Sequence, residues 1–388
     1  NTIIDNNSAS GGYDQRYGGG IYNTGTLSIT KTDISHNFSG DIGGGIYNTG
    51  LLTIEETTIG NNSSNSTNGG GIFNSGTLNI SKSGIYQNSA DDYGGGIFNS
   101  GNLELENDSI VNNDAYNGGG LYLSGSLELP IKITNTIIAD NSSYYNGGGI
   151  STGSNVKIEI KNSTIYRNQA TRTSSGNGGG IYLGNQSNLE ILNTIVAANT
   201  ADQNDNFYAY SYNSVYSLGY NLIGNNDGYN FPYANGDIRG TVSEPIDPYL
   251  NADYSLSDSS IAINHVIPDT TGLNIPLTDV FGNNRIYDGD YDRIDIGAVE
   301  FQGNPKPSYI LTVDKQDISF ATIDTASFIS DEIKLTNEGY AAIAIDSIIS
   351  PECFYLSLDG NESSDTLLED ITLNPGADLV VTIGFMPD

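Results

Sequence analysis

A Gly-Gly-Gly triplet returns seven times in the first half of this chain, at Gly18–Gly20, Gly43–Gly45, Gly69–Gly71, Gly94–Gly96, Gly118–Gly120, Gly147–Gly149 and Gly178–Gly180. Successive spacings are 25, 26, 25, 24, 29 and 31 residues, and self-similarity at such a period marks a repeat architecture. A second signature, apolar-x-x-Asn, runs in phase with it: Ile4/Asn7, Ile34/Asn37, Ile59/Asn62, Ile85/Asn88, Ile110/Asn113, Ile138/Asn141, Ile165/Asn168 and Val196/Asn199. Between the two lies a short alternating run: Leu27-x-Ile29, Leu52-x-Ile54, Leu78-x-Ile80, Leu103-x-Leu105, Leu127-x-Leu129, Val156-x-Ile158 and Leu189-x-Ile191.

Each unit reads as three short period-2 segments joined by Gly, Asn, Ser and Thr turns. No stretch carries a 3.6-residue apolar stripe, so no helix is expected. A unit this small cannot bury its apolar face alone. Stacking units as successive coils pairs each strand with its own copy one coil on, about 4.8 Å away. The expected fold is all-β: a parallel β-helix solenoid over residues 1–200, a stack of roughly 40 Å at that rise. Insertions are expected at 142–147 and 169–177, just before Gly triplets.

Side-chain alternation then assigns faces. Ile21, Ile46, Ile72, Ile97, Leu121, Ile150 and Ile181 point inward, and their neighbours Tyr22, Tyr47, Phe73, Phe98, Tyr122 and Tyr182 line the outer face, with Ser151 breaking the row. That row is either a packing ladder between coils or a stripe on which sugar rings stack. Asn7, Asn37, Asn62, Asn88, Asn113, Asn141, Asn168 and Asn199 are expected to form an amide ladder at a turn, each bonding the next coil's copy. Triple Gly suits a bend needing positive φ or close backbone approach.

The pairing of Gly-Gly-Gly-Ile with Ile-x-x-Asn resembles the repeats of chlamydial polymorphic outer-membrane proteins and related bacterial surface β-helix proteins. The usual motifs there are Gly-Gly-Ala-Ile and Phe-x-x-Asn, so Gly stands here for Ala and Ile for Phe. The resemblance covers residues 1–200 and implies a right-handed parallel β-helix at an extracellular bacterial surface. Residues 201–302 lose the repeat. Gly219-Tyr-Asn-Leu-Ile-Gly224, Ile246-Asp-Pro-Tyr-Leu250, Tyr254-Ser-Leu256, Ser260-Ile-Ala-Ile263, Asp279-Val-Phe-Gly-Asn283 and Asp295-Ile-Gly-Ala-Val-Glu300 follow in an order similar to the C-terminal section of "choice-of-anchor Q" β-helix proteins. That likeness implies the last irregular coils and a cap over the exposed strand edge.

Gly303-Asn-Pro-Lys-Pro307 reads as a linker over 303–308. Beyond it alternation returns at Tyr309–Val313, Ile318–Ala321, Glu332–Thr336, Ala342–Ile349, Phe354–Leu358 and Asp378–Phe385. This spacing suggests a β-sandwich. Leu335-Thr-Asn-Glu-Gly339, Phe354, Leu373-Asn-Pro-Gly376 and Phe385-Met-Pro387 resemble the hydin-like or "choice-of-anchor D" immunoglobulin-like domain. On that pattern the sandwich at 309–388 is incomplete at Asp388. The chain also opens mid-coil at Asn1-Thr-Ile-Ile and without a Met, which suggests a piece of a longer chain. Open strand edges lead to the expectation of end-to-end self-association into a fibre or sheath.

The formal charge of −32 argues against nucleic acid as a partner, since phosphates demand clustered Lys and Arg. Residues 307–388 hold 15 acids and 2 bases, so the acidity concentrates in the tail. No apolar run approaches the ~20 residues needed to span a bilayer. The single Cys353 allows no internal disulfide and reads as a small buried residue of the sandwich.

Polysaccharide lyases and hydrolases share this architecture, and they need carboxylates on one face with a base, or at a defined separation. Asp14, Asp41 and Asp91/Asp92 precede successive triplets, but Asn68 interrupts them and Asn117, Asn146 and Asn177 follow. Arg167 and Arg172 lack a matched carboxylate cluster. His36 and His265 are unrelated positions and suggest no metal site or triad. Asp288, Asp290 and Asp292, followed by Asp295, form the candidate Ca²⁺ ligand set, because alternating carboxylates converge oxygens on a hard cation. The EF-hand pattern is not met: Arg293 and Val299 stand where its sixth-position Gly and twelfth-position Glu belong. The resulting expectation is a non-enzymatic, extracellular, structural or adhesin-like surface protein with no resident cofactor beyond that Ca²⁺. The alternatives are a polysaccharide-active enzyme and a glycan-binding module.

Overall fold

A computed structural model of the chain describes residues 2–11, 16–65, 67–125, 128–210, 212–225, 229–266, 275–285, 293–303, 311–315, 318–320, 329–337, 343–350, 353–358, 367–374 and 377–385, with the backbone alone at 367–370. All described elements are strands. The chain divides into two compact units, the first running to Gln302 and the second from Gly303 to Asp388.

The first unit is a parallel β-solenoid of about eight turns. Its strands form four sheets, not three. A 10-stranded sheet begins at Thr2–Asp5 and ends at Ile238–Arg239, a 7-stranded sheet runs from Ser8–Ala9 to Gln169–Ala170, and two 8-stranded sheets begin at Ile21–Asn23 and Thr26–Thr30. The 7-stranded sheet carries no apolar alternation to betray it. Its strands are as short as Phe38–Ser39 and are held by backbone bonds such as Ser63 N–H to the Asn37 carbonyl, 3.0 Å.

Register is one full coil throughout: Ile72 pairs with Ile46 and with Ile97, and Ile85 with Ile59 and Ile110. Each inward Ile or Leu therefore sits on its own copy, and Ile34, Ile46, Leu52, Ile59, Ile72, Ile85, Ile97 and Ile110 are all buried. Burying each such side chain contributes about 1.5–3 kcal/mol. Two coils depart from the expected register. Leu129 is 61 % exposed, and Ile131 and Ile133 take the inward places by pairing with Ile158 and Ile160. Additional residues thus precede the strand Ile131–Thr134, and the register shift between Ala115/Ser143 and Asn117/Asn146 places another within 142–147. In the next coil Ile158 and Ile160 hold the positions expected of Val156 and Ile158.

The Gly triplets do two physical jobs. Their first members, Gly18 to Gly178, hold φ between 61° and 72°. Their second and third members bring adjacent coils into backbone contact, with Gly45 N–H donating to the Gly71 carbonyl at 3.1 Å.

A hydroxyl ladder runs along another corner. Thr57 Oγ1 donates to the Glu55 carbonyl at 2.9 Å and accepts from Thr32 N–H at 3.3 Å, and Ser83 and Thr136 donate in the same way. Asp108 stands in this row, fully buried, accepting from the N–H groups of Ser83 and Glu106 at 2.8 and 3.0 Å. Burial pushes its carboxyl up to about 8, against those two bonds. The folded form therefore binds a proton that the unfolded form releases near 3.8, so stability is highest below that pH and falls as pH rises toward 8. The slope approaches ~1.4 kcal/mol per pH unit. Asp108→Thr is expected to flatten the urea-unfolding midpoint between pH 4 and pH 8 and to raise it at pH 8. Parallel wild-type and variant profiles would refute this.

Residues after Ala198 continue the stack and then leave it. Phe207 and Phe231 meet edge to face at 5.9 Å, and Phe231 joins the interior cluster. The section from Ile246 to Phe301 does more than close the end: it folds back over the outer face of the 10-stranded sheet. There Leu256, Ala262, Val266, Ile296 and Ala298 pack on Ile137, Ala139, Tyr166, Ile195 and Ala197. Polar contacts pin this cover. Ala298 N–H donates to Thr164 Oγ1 at 3.0 Å, Asn193 to the Asp295 carbonyl at 3.1 Å and Tyr254 to Asp140 at 2.6 Å. Arg285, 1 % exposed, reaches Asn135, the Gly297 carbonyl and, at 3.5 Å, Glu300. Burial drives the Glu300 carboxyl up to about 10 while Arg285 counters it.

The second unit is antiparallel. Leu311–Val313, Ile329–Asn337, Asp378–Phe385 and Phe354–Leu358 form one sheet, and Ile343–Ile349 with Leu367–Leu373 a second. This is consistent with a β-sandwich-like domain, with Leu335, Leu356, Leu373 and Val381 at its core. Ile318–Phe320 is not a strand, and Leu367–Leu373 is one the sequence reading passed over. Cys353 is exposed, not buried: it turns the chain at φ 71° ahead of Phe354.

Candidate functional site on the aromatic flank

The sheet that begins at Ile21–Asn23 presents its outward positions as a column. Tyr22, Tyr47, Phe73, Phe98 and Tyr122 are register partners coil by coil. Their rings stack at 5.0, 5.1, 5.1 and 5.6 Å between centroids, within 5° of parallel. Tyr17 adds a further stack on Tyr47 at 4.8 Å. These rings use their faces on one another and turn edges and hydroxyls to solvent, so a ligand cannot lie flat along the column.

The column is interrupted once. Ser151 pairs with Tyr122 on one side and Tyr182 on the other, and beyond it Tyr182 stacks on Tyr208 at 5.2 Å. Ser151 is itself 1 % exposed, and it lies among the residues around a cavity of about 430 Å³. Tyr122 and Tyr182 wall the cavity, with Tyr93, Tyr116, Tyr145 and Tyr210 also lining it and Asn117, Asn146, Ser154 and Asn185 supplying amides and a hydroxyl. Among the described residues no Asp, Glu, Lys or Arg lines it.

The lining tyrosines brace one another. Tyr93 tilts against Tyr122 at 4.4 Å, the Tyr182 and Tyr210 hydroxyls meet at 3.2 Å, and Arg172 lies over the Tyr145 ring at 4.6 Å. Burial, with Tyr93 alongside, raises the Tyr122 phenol above its ordinary value. Burial and the Tyr210 hydroxyl do the same for Tyr182. Both phenols are therefore neutral at physiological pH, able to donate as well as accept. Aromatic walls with a few neutral polar groups are what a small uncharged polyol ligand needs.

Behind this flank stands the asparagine ladder. Asn7, Asn37, Asn62, Asn88, Asn113, Asn141 and Asn168 each donate from Nδ2 to the next Oδ1 at 2.9–3.0 Å, and Asn199 continues the chain to Asn206 at 3.0 Å. Each Oδ1 also accepts the backbone N–H of the preceding copy, as Asn88 does from Asn62 at 3.0 Å. A second ladder went unread in the sequence: Asn23, Asn48, Asn74 and Asn99 bond at 2.7, 2.7 and 2.6 Å. Its signal was present as the Asn two places after Ile21, Ile46, Ile72 and Ile97.

The charged groups raised by the sequence are dispersed. Asp14 lies outside the described residues. Asp41 is held by Arg16 at 2.7 Å, which keeps its carboxyl below the usual range. Asp91 and Asp92 lie exposed on the strand Ser89–Tyr93. Arg167 does have a carboxylate, Asp140 of the preceding coil, at 2.7 Å. His36 bonds Asp5 at 2.9 Å on the surface, and His265 sits half-buried in the cover. Of the candidate Ca²⁺ ligands, Asp288, Asp290 and Asp292 lie outside the described residues. Asp295 is taken by the fold, its two oxygens accepting the N–H groups of Asn264 and Phe301 at 2.6 Å each. Among the described residues no cluster of His, Cys, Asp and Glu is placed to hold a metal, and no helix is long and apolar enough to cross a membrane. Comparison of the chain with protein-family models, with curated proteins and with solved structures gives no match in any of the three.

Proposed function

We propose that the chain is a non-enzymatic, adhesin-like solenoid of an extracellular bacterial surface, and that its aromatic flank engages glycans. The observation that carries this reading is the cavity at Ser151, lined by tyrosines and neutral amides in a chain of net charge −32. Hydrolysis or β-elimination of a polysaccharide draws on an acid and a base facing one cleft. Here Asp41 is engaged by Arg16, Asp140 by Arg167 and Glu190 by Lys157 at 3.2 Å, and none of the three lines the cavity. The likeness of the Gly-Gly-Gly-Ile and Ile-x-x-Asn repeats to bacterial surface proteins supports the location.

The test is co-sedimentation of the intact chain with insoluble neutral polysaccharides (cellulose, xylan and chitin), with reducing ends and unsaturated products assayed in the same tubes. Retention without new ends is the expected result. New ends would make the protein a polysaccharide-active enzyme, and retention by no polysaccharide would remove the glycan reading. End-to-end assembly belongs to the same proposal and is read by negative-stain electron microscopy of the isolated material. Regular fibres support it, and dispersed single particles remove it.

A further inference from the structure

We infer that Arg172 is the anion-recognising residue of this flank, receiving the carboxylate of a single uronate branch on a glycan whose neutral backbone rests against Tyr116 and Tyr144. This rests on the glycan reading above and deepens it by naming the charge pattern of the ligand.

One extra residue and one loop build the site. On the strand Ser142–Asn146, Ser143 pairs with Ala115 and Asn146 with Asn117, so Tyr144 and Tyr145 together oppose the single residue Tyr116. Such a bulge re-aims side chains. Here it turns two consecutive tyrosines outward between Ser143 and Asn146, which are both buried. Tyr145 stacks on Tyr116 at 6.0 Å, and Tyr144 tilts against Tyr116 at 5.2 Å while staying 50 % exposed. The next coil adds the loop 171–177, pinned on either side of this pair. Thr171 N–H donates to the Ser143 carbonyl at 2.8 Å, and Asn177 N–H to the Tyr145 carbonyl at 3.3 Å. Gly176 N–H closes the loop on the Arg172 carbonyl at 3.0 Å. The pinned loop lays the Arg172 guanidinium over the Tyr145 ring at 4.6 Å, with the Tyr144 ring at 5.9 Å.

Stacking fixes the guanidinium without using its N–H groups. A planar guanidinium meets a ring through its face and a carboxylate through its edge, with two donors in parallel. Among the described residues no carboxylate pairs with Arg172, whereas Arg16 holds Asp41 and Arg167 holds Asp140, both at 2.7 Å. The ring behind it also reduces the freedom lost when an anion docks. Tyr145 lines the cavity, so the cation stands beside the neutral polar surface already described.

The surroundings restrict the ligand to sparse negative charge. Asp91, Asp92 and Asp114 lie exposed on the strands Ser89–Tyr93 and Asp114–Asn117 of the same sheet. Contiguous uronates would lay carboxylates against them, and like charges repel. A neutral backbone with one uronate branch instead meets Tyr116 and Tyr144 with its sugar rings and Arg172 with its carboxylate.

Calorimetry on the intact chain compares xylotetraose, xylotetraose carrying one glucuronosyl branch, the methyl ester of that branched sugar, and tetragalacturonate. The branched sugar is expected to bind about tenfold tighter than the other three at low salt. Raising NaCl to about 0.5 M should shrink that preference. Arg172→Gln should erase the preference and leave xylotetraose binding unchanged, and Arg172→Lys should restore part of it. Equal binding of the branched sugar and its ester by the wild-type chain would overturn the inference. So would tetragalacturonate binding as tightly as the branched sugar. An Arg172→Gln variant that weakens both xylotetraoses alike and lowers the thermal midpoint would make Arg172 a brace for Tyr145, and it too would overturn the inference. Retention on xylan with no preference for the branched sugar leaves the glycan reading standing, whereas retention by no polysaccharide removes both.

Discussion

Asn88→Ala is expected to destabilise the middle of the solenoid by about 4 kcal/mol, from four buried hydrogen bonds lost at roughly 1 kcal/mol each. The Asn88 side chain satisfies four groups at once. Its Oδ1 accepts Asn62 N–H and Asn62 Nδ2–H, both at 3.0 Å, and its Nδ2 donates to the Ile59 carbonyl at 2.9 Å and Asn113 Oδ1 at 3.0 Å. Alanine removes all four bonds in a corner where Asn62, Asn88 and Asn113 are each about 1 % exposed, although Asn62 Nδ2 keeps the Ile34 carbonyl and Asn113 Oδ1 keeps the backbone N–H of residue 88. Water cannot replace the amide without opening the coil. Because each coil touches chiefly its neighbours, the damage should stay local. Hydrogen exchange should therefore speed up across the coils of Asn62, Asn88 and Asn113 and stay unchanged near Asn168. The same change at Asn7, which is exposed, should have a far smaller effect. Uniform protection across the solenoid in Asn88→Ala would mean the ladder is decoration.

Gly70→Ala should be at least as damaging, by about 3 kcal/mol or more. A Cβ at Gly70 would lie 2.4 Å from the Ser89 carbonyl oxygen and 2.5 Å from that of Gly95. Both are backbone atoms of the adjacent coil, so no rotamer change relieves the overlap and the coils must part. Gly25→Ala provides the contrast, since a Cβ there meets nothing within 4 Å and the residue lies in a turn. Urea unfolding followed by tyrosine fluorescence should separate the two: a lowered midpoint or loss of soluble protein for Gly70→Ala, and a midpoint close to wild type for Gly25→Ala. Equal midpoints would show that the triplets are not held by close approach.

Much of the fold was legible because its interactions repeat. Ile46, Ile72 and Ile97 occur at a fixed period, and each meets its own copies, so one coil's pattern predicts the next. The errors fall where the period slips. Leu127-x-Leu129 has the right alternation, yet Ile131 and Ile133 have it too, and only pairing with Ile158 and Ile160 decides between them. The fourth sheet escaped notice because Ser63–Ser64 and its counterparts show no hydrophobic alternation. Cys353 was misplaced because a small apolar residue beside Phe354 looks like core until the turn is seen.

The candidate site was half legible. The column Tyr22, Tyr47, Phe73, Phe98, Tyr122 and Tyr182, and its break at Ser151, can be read from position alone. Whether those rings offer faces to a ligand or to each other could not, because that depends on stacking at 5.0–5.6 Å. Tyr93, Tyr116 and Tyr145 reach the cavity from the strands Ser89–Tyr93, Asp114–Asn117 and Ser142–Asn146, which share no common motif.

By itself, then, the sequence determined what a one-coil period can encode: parallel stacking, the inward Ile and Leu, the asparagine rungs and the glycine bends. Each depends on a residue and its copies about 25 positions away. Tertiary structure decided what has no period. The return of Ile246–Phe301 across the outer face joins residues more than a hundred positions apart, as Asn193 to Asp295 and Thr164 to Ala298. The apolar outward residues Ile137, Ala139, Ile195 and Ala197 announced that something must cover them. Which segment does so follows from shape and hydrogen-bond complementarity, and a linear pattern carries neither.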